Sequence, residues 1–330
     1  MITLFACPKS FSGHIEVIQR NAIKSWILLE PRPEIILLGD DNGIAEVCRE
    51  FDLIHVPGVE KNEYGTPFVN SVFGIGQATA SRPVVCYVNC DIILMDDFMS
   101  AISTVAAHMP KFLVVGQRWD VDILQPWDYS SASWETDLRS MTAREGALHS
   151  QIAMDFFAFP RGMYSDIPPF AIGRTRWDNW LMWRARSTGI PVVDATAAVT
   201  IIHQNHAWPP GKVTTIGDQS PAALPPSSGL APAAIGLHEG KLVRFGPEAQ
   251  RNQALAPGEK GVLDIWAATW MITKGGALRR RSFTPTPAFL KYQLKWVIPM
   301  KRPWVGTLYR SAASVRRTIR AETARLVSRS

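Results

Sequence analysis

The stretch RPVVCYVNCD, Arg82 to Asp91, decides the fold. Its apolar run, Val84–Val88 with one Tyr, predicts a buried strand. The run ends abruptly at Asn89, Cys90 and Asp91, so polar side chains follow directly on the strand. Asp91 is then either a turn residue that ends the strand or a ligand at the mouth of a site, and its position alone leaves both readings open.

Short apolar runs alternate with helical patterns on both sides of this strand. The predicted strands are 2–6, 34–40, 52–57, 82–89 and 111–116, and the predicted helices are 15–29, 44–51, 68–80 and 98–108. The third of these helices contains Gly74 and Gly76, which weaken its helical pattern. Strands that alternate with helices over short connections predict an α/β fold, with a central, mostly parallel sheet flanked by helices.

The regular alternation is lost between Gln117 and Ser150, where three Trp stand among many polar residues. This segment predicts a long loop or irregular insertion, and long loops in compact domains are usually functional. The pattern then resumes, with a strand within 154–164, a helix at 177–187 and short strands at 192–194 and 198–202.

Composition excludes several classes of protein. Of the 330 residues, 46% are hydrophobic and 19% are charged, which excludes a disordered chain. The four Cys form no CxxC pair, which favours reduced thiols over a disulfide framework or a zinc finger. No signal peptide precedes the first predicted strand and no apolar run is long enough for a membrane span, so we expect a cytoplasmic protein.

Charge and composition divide the chain into three parts. Residues 1–207 form the predicted main domain, 208–235 a linker or loop rich in Pro, Gly and Ser, and 236–330 a C-terminal extension with a basic helix near its end. Residues 274–330 hold 14 Lys and Arg against one acidic residue, Glu322. Such a basic region favours an anionic partner, and we expect peripheral contact with the inner face of a membrane rather than with nucleic acid.

Three polar residues follow directly on predicted strands: Asp40, Asp91 and Gln117. Because ligands of open α/β sheets bind beyond the carboxyl ends of the strands, we expect all three along one binding edge. A carboxylate there can hold Mg²⁺ or Mn²⁺, which prefer oxygen ligands and commonly bridge to phosphates. The alternative is a structural role, as a turn residue or a helix cap.

The stretch YVNCDIIL resembles the DxD-type signature of GT-A-fold glycosyltransferases of the family 2 type, which use nucleotide-sugar donors. The resemblance implies that Asp91 is a metal ligand. Asn89 stands at the first position, where the signature has an acid, and can hydrogen-bond the ribose or a phosphate. The likeness extends over about residues 1–210, and DNWLMWRA and IIHQNHAW are similar to stretches of glycosyltransferase-like proteins from bacteria and plants.

The resemblance also implies roles for residues further along the chain. In GRTRWDNW, Asp178 would be the general base of an inverting enzyme, with a capping role at the helix start as the alternative. In TIIHQNH, His203 and His206 are candidate metal ligands, although a His after a strand is more often structural. Arg174 is a candidate for binding the donor diphosphate, or a solvated basic turn.

Trp119 and Trp177 lie beside these polar residues and are candidate platforms for a sugar ring, with core packing as the alternative. The predicted reaction is metal-dependent transfer of a sugar from a UDP- or GDP-type donor to a glycan or lipid-linked acceptor. Two other functions stay open. One is a nucleotidyltransferase of sugar phosphates, and the other is a non-catalytic binding protein of GT-A type, for which Asn89 is the warning sign.

Overall fold

A computed structural model describes residues 2–149, 154–174, 176–206 and 270–280, together with short pieces of chain at 213–215, 235–238, 241–245, 248, 251–252 and 255. Most of the predicted linker and all of the chain beyond residue 280, including the predicted basic helix near the C-terminus, lie outside the described residues.

Six helices and sixteen strands lie in the described part of the chain. The helices are α1 (Gly13–Ile27), α2 (Ile44–Phe51), α3 (Val69–Thr79), α4 (Asp96–His108), α5 (Trp134–Glu145) and α6 (Trp177–Ser187). The strands are β1 (Ile2–Ala6), β2 (Glu34–Leu38), β3 (Ile54–Val56), β4 (Val84–Val88), β5 (Ile92–Ile93), β6 (Leu113–Val115), β7 (Trp119–Val121), β8 (Ala147–Leu148), β9 (Phe156–Pro160), β10 (Val192–Asp194), β11 (Ile202–Gln204), β12 (Val213–Thr215), β13 (Ile235–His238), β14 (Lys241–Phe245), β15 (Trp270–Ile272) and β16 (Leu278–Arg280). None of the described helices has the length and apolar character that crossing a bilayer requires.

The central sheet has nine strands in the order β16-β15-β10-β6-β9-β4-β1-β2-β3. Its strands run parallel except at β9, which is antiparallel to both β4 and β6, and at the β15–β16 pair. Helices cover the sheet, so the predicted α/β architecture with a mostly parallel central sheet is confirmed. The β15–β16 pair comes from beyond residue 207, and the sheet therefore draws on the C-terminal part of the chain as well.

Strand β4 shows how the two faces of the sheet are covered. Cys86 and Val88 pack on one face in a core with Trp26 of α1, while Val85 and Tyr87 pack on the other face with Phe73 of α3. Successive side chains of a strand point to opposite faces, and both faces of β4 are buried. This explains why the stretch reads as a continuous apolar run rather than an alternating one.

Helix α3 forms as predicted despite its two glycines, and the packing shows why one of them is needed. A Cβ atom at Gly76 would lie 2.4 Å from the ring of Phe5 on β1. Gly76 therefore permits close contact between α3 and the sheet. Gly74 lies on the exposed side of the same helix and has no neighbouring atom within 4 Å of its ideal Cβ position.

The prediction of a loop or irregular insertion at 117–150 was wrong. Strands β7 and β8 and helix α5 lie within it, and β7 and β8 belong to a second sheet with the order β5-β11-β7-β8. The pattern was hard to detect because β7 has only three residues and α5 buries only Leu138 and Thr142. This second sheet adjoins the carboxyl end of β4 through β5.

The predicted strand at 198–202 is displaced in the structure. Val199 and Ile201 are buried, but the strand begins only at Ile202, where β11 pairs with β5 and β7. The apolar residues before it lie in a turn, in which the Val199 amide donates to the carbonyl of Ala195. The apolar run at 198–202 therefore reflects burial and not a strand. The pairing of β11 with β5 and β7 centres the strand at residue 203, three residues beyond the centre of the predicted strand.

Candidate active site

The β5–β11 pair places Asp91 beside two histidines. Asp91 directly precedes β5, and Ile92 of that strand pairs with His203 of β11. The backbone amide and the side-chain Nε2 of Gln204 each donate to the carbonyl of Asp91, both at 3.2 Å. Gln204 is completely buried, so its hydrogen bonds hold the carboxyl end of β4 against the strand that carries His203.

Asp91, His203 and His206 form a compact cluster of ligand atoms. Nε2 of His206 lies 3.1 Å from Oδ2 of Asp91, and Nε2 of His203 lies 3.8 Å from the same oxygen. One ligand atom from each residue can be chosen so that all lie within 4.8 Å of one another. One carboxylate and two imidazoles at this spacing could hold a divalent cation.

The other carboxylate oxygen of Asp91 supports that assignment. Oδ1 is buried and has no hydrogen-bond partner among the residues that the structure describes. A buried acceptor without a partner is costly, and an ion is one of the groups that explains such an atom. The donor set and this oxygen together fit a metal centre.

The electrostatics of the cluster favour an ionised carboxylate. Burial alone would raise the pKa of Asp91, but the hydrogen bond from His206 and the nearby charges of His203 and Lys9 outweigh burial and lower the pKa below its usual range. Burial likewise favours the neutral form of His203, yet Asp120 and Asp91 raise its pKa. The site therefore stabilises positive charge next to Asp91.

A second group of charged residues contacts the cluster through Asp120, and none of these residues was a predicted site residue. Asp120 of β7 accepts a hydrogen bond from Nδ1 of His149 at 2.6 Å and another from Nε of Arg118 at 2.9 Å. Arg118 also donates to Asp155, at 2.7 Å. Its side chain is only 11% exposed. Burial would lower the pKa of Arg118, but Asp155 and Asp120 raise it, so Arg118 stays charged between them.

Asn89 is engaged within the protein. Its Nδ2 donates to Oδ1 of Asp155 at 2.7 Å, and its Oδ1 accepts from the hydroxyl of Tyr87 at 2.9 Å. The backbone amide of Asn89 also donates to the carbonyl of Asp155. Asp155 directly precedes β9, the strand paired with β4, so an acid lies next to Asn89 although position 89 itself is not acidic.

Asp178 is the second residue of α6, which follows Arg176 in a left-handed backbone conformation. Its Oδ1 accepts hydrogen bonds from the backbone amide and the side-chain Nδ2 of Asn179, at 2.8 and 2.9 Å. The side chain keeps some accessible surface, yet burial raises its pKa to about 6; the Asn179 hydrogen bonds lower the value and the charge of Asp155 raises it. Asp178 therefore lies near the Asp155–Arg118 pair and titrates close to neutrality.

The remaining predicted donor-binding residues all have partners within the protein. Asp40 pairs with Lys61 at 2.5 Å and has an exposed side chain. Gln117 donates its Nε2 to the carbonyl of His149 at 2.7 Å. Arg174 forms a close ion pair with Glu248, to which it donates from both Nε and Nη2. The structure thus places Asp40 and Gln117 at strand ends but holds Arg174 in an internal ion pair.

The two candidate sugar platforms differ in their surroundings. Trp177 is 5% exposed and packs against the rings of Tyr87, Phe73 and Phe157 in the core. Trp119, on β7, is half-buried and packs against the small core of the second sheet. Of the two rings, Trp119 retains more accessible surface, but it packs with Val121 and Ile202, on the face of the second sheet opposite Asp120 and His203.

No protein-family model and no curated protein matches this chain. Among solved structures, it is similar to S. aureus TarS residues 1–349 in complex with UDP-GlcNAc, with 13% identity over 36% of this chain and 35% of that chain, at a TM-score of 0.28. It is also similar to GalNAc-T7 with UDP, GalNAc and Mn²⁺, with 14% identity over 62% of this chain and 43% of that chain, at a TM-score of 0.43. The chain thus covers less than half of either structure. Both TM-scores are too low to carry an argument about function.

Proposed function

We propose that this chain is a metal-dependent glycosyltransferase of the GT-A type, which moves a sugar from a UDP- or GDP-type donor to a glycan or lipid-linked acceptor with inversion at C1. The observation that carries the proposal is the convergence of Asp91, His203 and His206 within 4.8 Å, at the carboxyl end of a central strand. Open α/β sheets bind ligands at that end of their strands. The unpaired buried oxygen of Asp91 adds support.

Asp91, His203 and His206 would hold the cation. Imidazole ligands favour a first-row transition ion such as Mn²⁺ over Mg²⁺, which takes oxygen ligands. When bound, the ion would stabilise the negative charge that develops on the departing nucleoside diphosphate. Of the residues expected to bind the donor, Asp40 follows β2 and Gln117 follows β6, each separated from β4 by one strand of the central sheet. Arg174 would have to leave Glu248 in order to reach a phosphate.

Asp178 would act as the general base. It would accept the proton of the acceptor hydroxyl while that oxygen forms its bond to C1 and the bond from C1 to the diphosphate oxygen breaks. A carboxyl with a pKa of about 6 is ionised at neutral pH and is a stronger base than an ordinary Asp. Direct displacement assisted by one base inverts the configuration at C1, and general-base assistance contributes about 10²–10⁴-fold in rate.

The basic region 274–330 would bring the enzyme to an anionic membrane surface, where lipid-linked acceptors are found. Its 14 Lys and Arg against one acid are the support for this part of the proposal. Co-sedimentation of the full chain with vesicles of anionic and of neutral lipid tests it. Binding that is equal on both kinds of vesicle, or absent from both, would contradict it.

Product analysis tests the proposed reaction. The full chain is incubated with glycan and lipid-linked acceptors and a panel of UDP- and GDP-sugars, and in parallel with UTP or GTP and sugar 1-phosphates, each in Mn²⁺, in Mg²⁺ and in EDTA. Nucleoside diphosphate and pyrophosphate are both measured. We expect nucleoside diphosphate in Mn²⁺, none in EDTA, and none from D91N in any buffer. D166N, which alters an exposed acid paired with Arg184, is the matched control and should behave as wild type.

The products also separate the alternatives. Pyrophosphate instead of nucleoside diphosphate would contradict sugar transfer and favour the nucleotidyltransferase. Release of neither product, while Mn²⁺ still raises the Tm, would favour a non-catalytic binding protein. The anomeric configuration of the product, read by NMR, tests inversion separately from transfer.

A further inference from the structure

Asp120 lies on the far side of the His203 ring from Asp91. Strands β7 and β11 run parallel with Asp120 in register with His203, and the two side chains meet. Nδ1 of His203 is 3.1 Å from Oδ1 of Asp120, a close contact that does not have the geometry of a hydrogen bond. Nε2 of the same ring is 3.8 Å from Oδ2 of Asp91. The two nitrogen atoms of one imidazole thus face two carboxylates from different strands.

Asp120 is itself held in place from two further directions. His149 contacts its Oδ2 at 2.6 Å, and Nε of Arg118 donates to its Oδ1 at 2.9 Å. All three side chains are mostly buried, with 21% exposure for Asp120, 14% for His149 and 11% for Arg118. Because Arg118 also pairs with Asp155, which directly precedes β9, the carboxylate of Asp120 on the second sheet is linked through Arg118 to the central sheet.

We propose that Asp120 is a positioning residue for the metal centre, which would accept the Nδ1 proton of His203 after a small rotation of the ring and so direct the Nε2 lone pair toward Asp91 and the bound cation. This rests on the metal centre of the proposed function. A histidine that binds a metal through one nitrogen usually donates the other N–H to a carboxylate or carbonyl, which fixes the tautomer and the ring orientation. Here the register of two strands supplies that carboxylate.

Direct measurement of Mn²⁺ affinity tests the assignment without relying on turnover. Isothermal titration calorimetry is run on the full chain, as wild type, D120N, D120E and D91N, at one pH. We expect D120N to bind Mn²⁺ about 10- to 100-fold more weakly than wild type, the usual effect of removing such a partner. D120E keeps the charge and should recover part of that loss, while D91N should show no binding.

D122N is the matched control. Asp122 stands two residues further along the chain and accepts a hydrogen bond from Asn205 at an exposed position, so it is an acid of the same segment that does not face His203. D122N should bind Mn²⁺ as wild type does. If D122N also binds Mn²⁺ more weakly than wild type, the loss in D120N reflects the removal of a negative charge from this segment in general. That result would overturn the proposal.

The outcomes for D120N and D91N separate this inference from the proposed function. Wild-type affinity in D120N, with binding lost in D91N, would overturn the role of Asp120 and leave the metal centre standing. No Mn²⁺ binding by wild type would overturn both. If D120N does not fold, H149F tests the proposal instead, because it removes the hydrogen bond from His149 to Asp120. H149F should bind Mn²⁺ several-fold more weakly than wild type. Wild-type affinity in H149F would then overturn the proposal.

Discussion

Asn89 and Asp155 are joined twice, by a side-chain hydrogen bond of 2.7 Å and by a backbone hydrogen bond of 2.9 Å. The amide of Asn89 donates to a carboxylate that also binds Arg118. An acid at position 89 would place two carboxylates within hydrogen-bonding distance of each other. The departure from the DxD-type signature therefore has a local physical reason.

We predict that N89D destabilises the fold by about 1–3 kcal/mol at pH 8, the scale of a buried polar group left without its partner. The loss should shrink at pH 5, because two facing carboxyls can then share a proton. Urea denaturation of N89D and wild type at both pH values measures the difference in their free energies of unfolding.

The control for N89D is N205D. Asn205 donates to Asp122 at 2.8 Å in the same kind of Asn–Asp pair, but at an exposed position, where like charges are screened by solvent. At pH 8, N205D should lower the free energy of unfolding much less than N89D does. Equal costs for the two variants would mean that the burial of the Asn89 site is irrelevant.

The second prediction concerns the pH dependence of turnover. A general base must be ionised, and the pKa of Asp178 is raised to about 6. The rate should therefore be constant above about pH 7 and fall tenfold for each pH unit well below 6. An acid limb near pH 4 would assign the base to an ordinary exposed carboxyl instead. The profile of kcat/KM, measured with saturating Mn²⁺, gives this limb for the free enzyme.

The third prediction is that D178N removes activity and stabilises the fold. The pKa of an unfolded Asp is about 3.9, and folding raises it to about 6. The folded state thus favours the protonated form, so the contribution of Asp178 to stability is greatest below the unfolded pKa and is lost as the pH rises through 6. At pH 8, replacing the charged group should stabilise the protein by about 1–3 kcal/mol.

Urea denaturation of D178N and wild type at pH 8 and at pH 4.5 measures this effect. The gain should be full at pH 8 and about a third as large at pH 4.5, since that pH is still slightly above the unfolded pKa. A D178N variant that is less stable than wild type at pH 8 would show that Asp178 acts as a helix-start residue whose charge stabilises α6.

The fourth prediction compares the two glycines of α3. G76A should destabilise the protein by about 1–3 kcal/mol, because the new methyl group would meet the Phe5 ring at 2.4 Å. G74A should stabilise it by about 0.5–1 kcal/mol, since Ala is the better helix former and its side chain meets no atom within 4 Å. Thermal unfolding should give a lower Tm than wild type for G76A and a higher Tm for G74A. A pair of equal shifts would contradict the packing of α3 on the sheet.

Much of the fold could be predicted from hydrophobic patterns, because the strands of the central sheet are buried on both faces and read as continuous apolar runs. Strand β4 and helix α3 are examples. Strand β7 and helix α5 were missed because a three-residue strand and a helix with two buried residues produce almost no pattern. Short elements of that kind are set by their partners in the sheet, which a local pattern does not contain.

The site residues that could be predicted are those that their place in the sequence marks, after an apolar run or within a motif. Asp91 was a candidate because it follows an apolar run, and His203 and His206 were candidates because the resemblance implies a His ligand after a later strand. The structure brings these three together. Asp120, Arg118 and Asp155 were not candidates, since nothing in their immediate sequence marks a polar residue as buried. One signal was available for Asp120. It stands next to Trp119 on the strand that was mistaken for a loop, and alternation along that strand would have turned it toward the site.

The pairing of β5 with β11 has a consequence for how the protein is made. Asp91 and His206 are 115 positions apart in the chain, yet they contact each other at 3.1 Å. A ribosome must therefore deliver the chain past residue 206 before all three ligands can meet. A fragment that ends between residues 95 and 205 contains the complete DxD-like stretch but lacks the centre. The capacity to bind a cation therefore arises late in synthesis, after most of the central sheet has emerged.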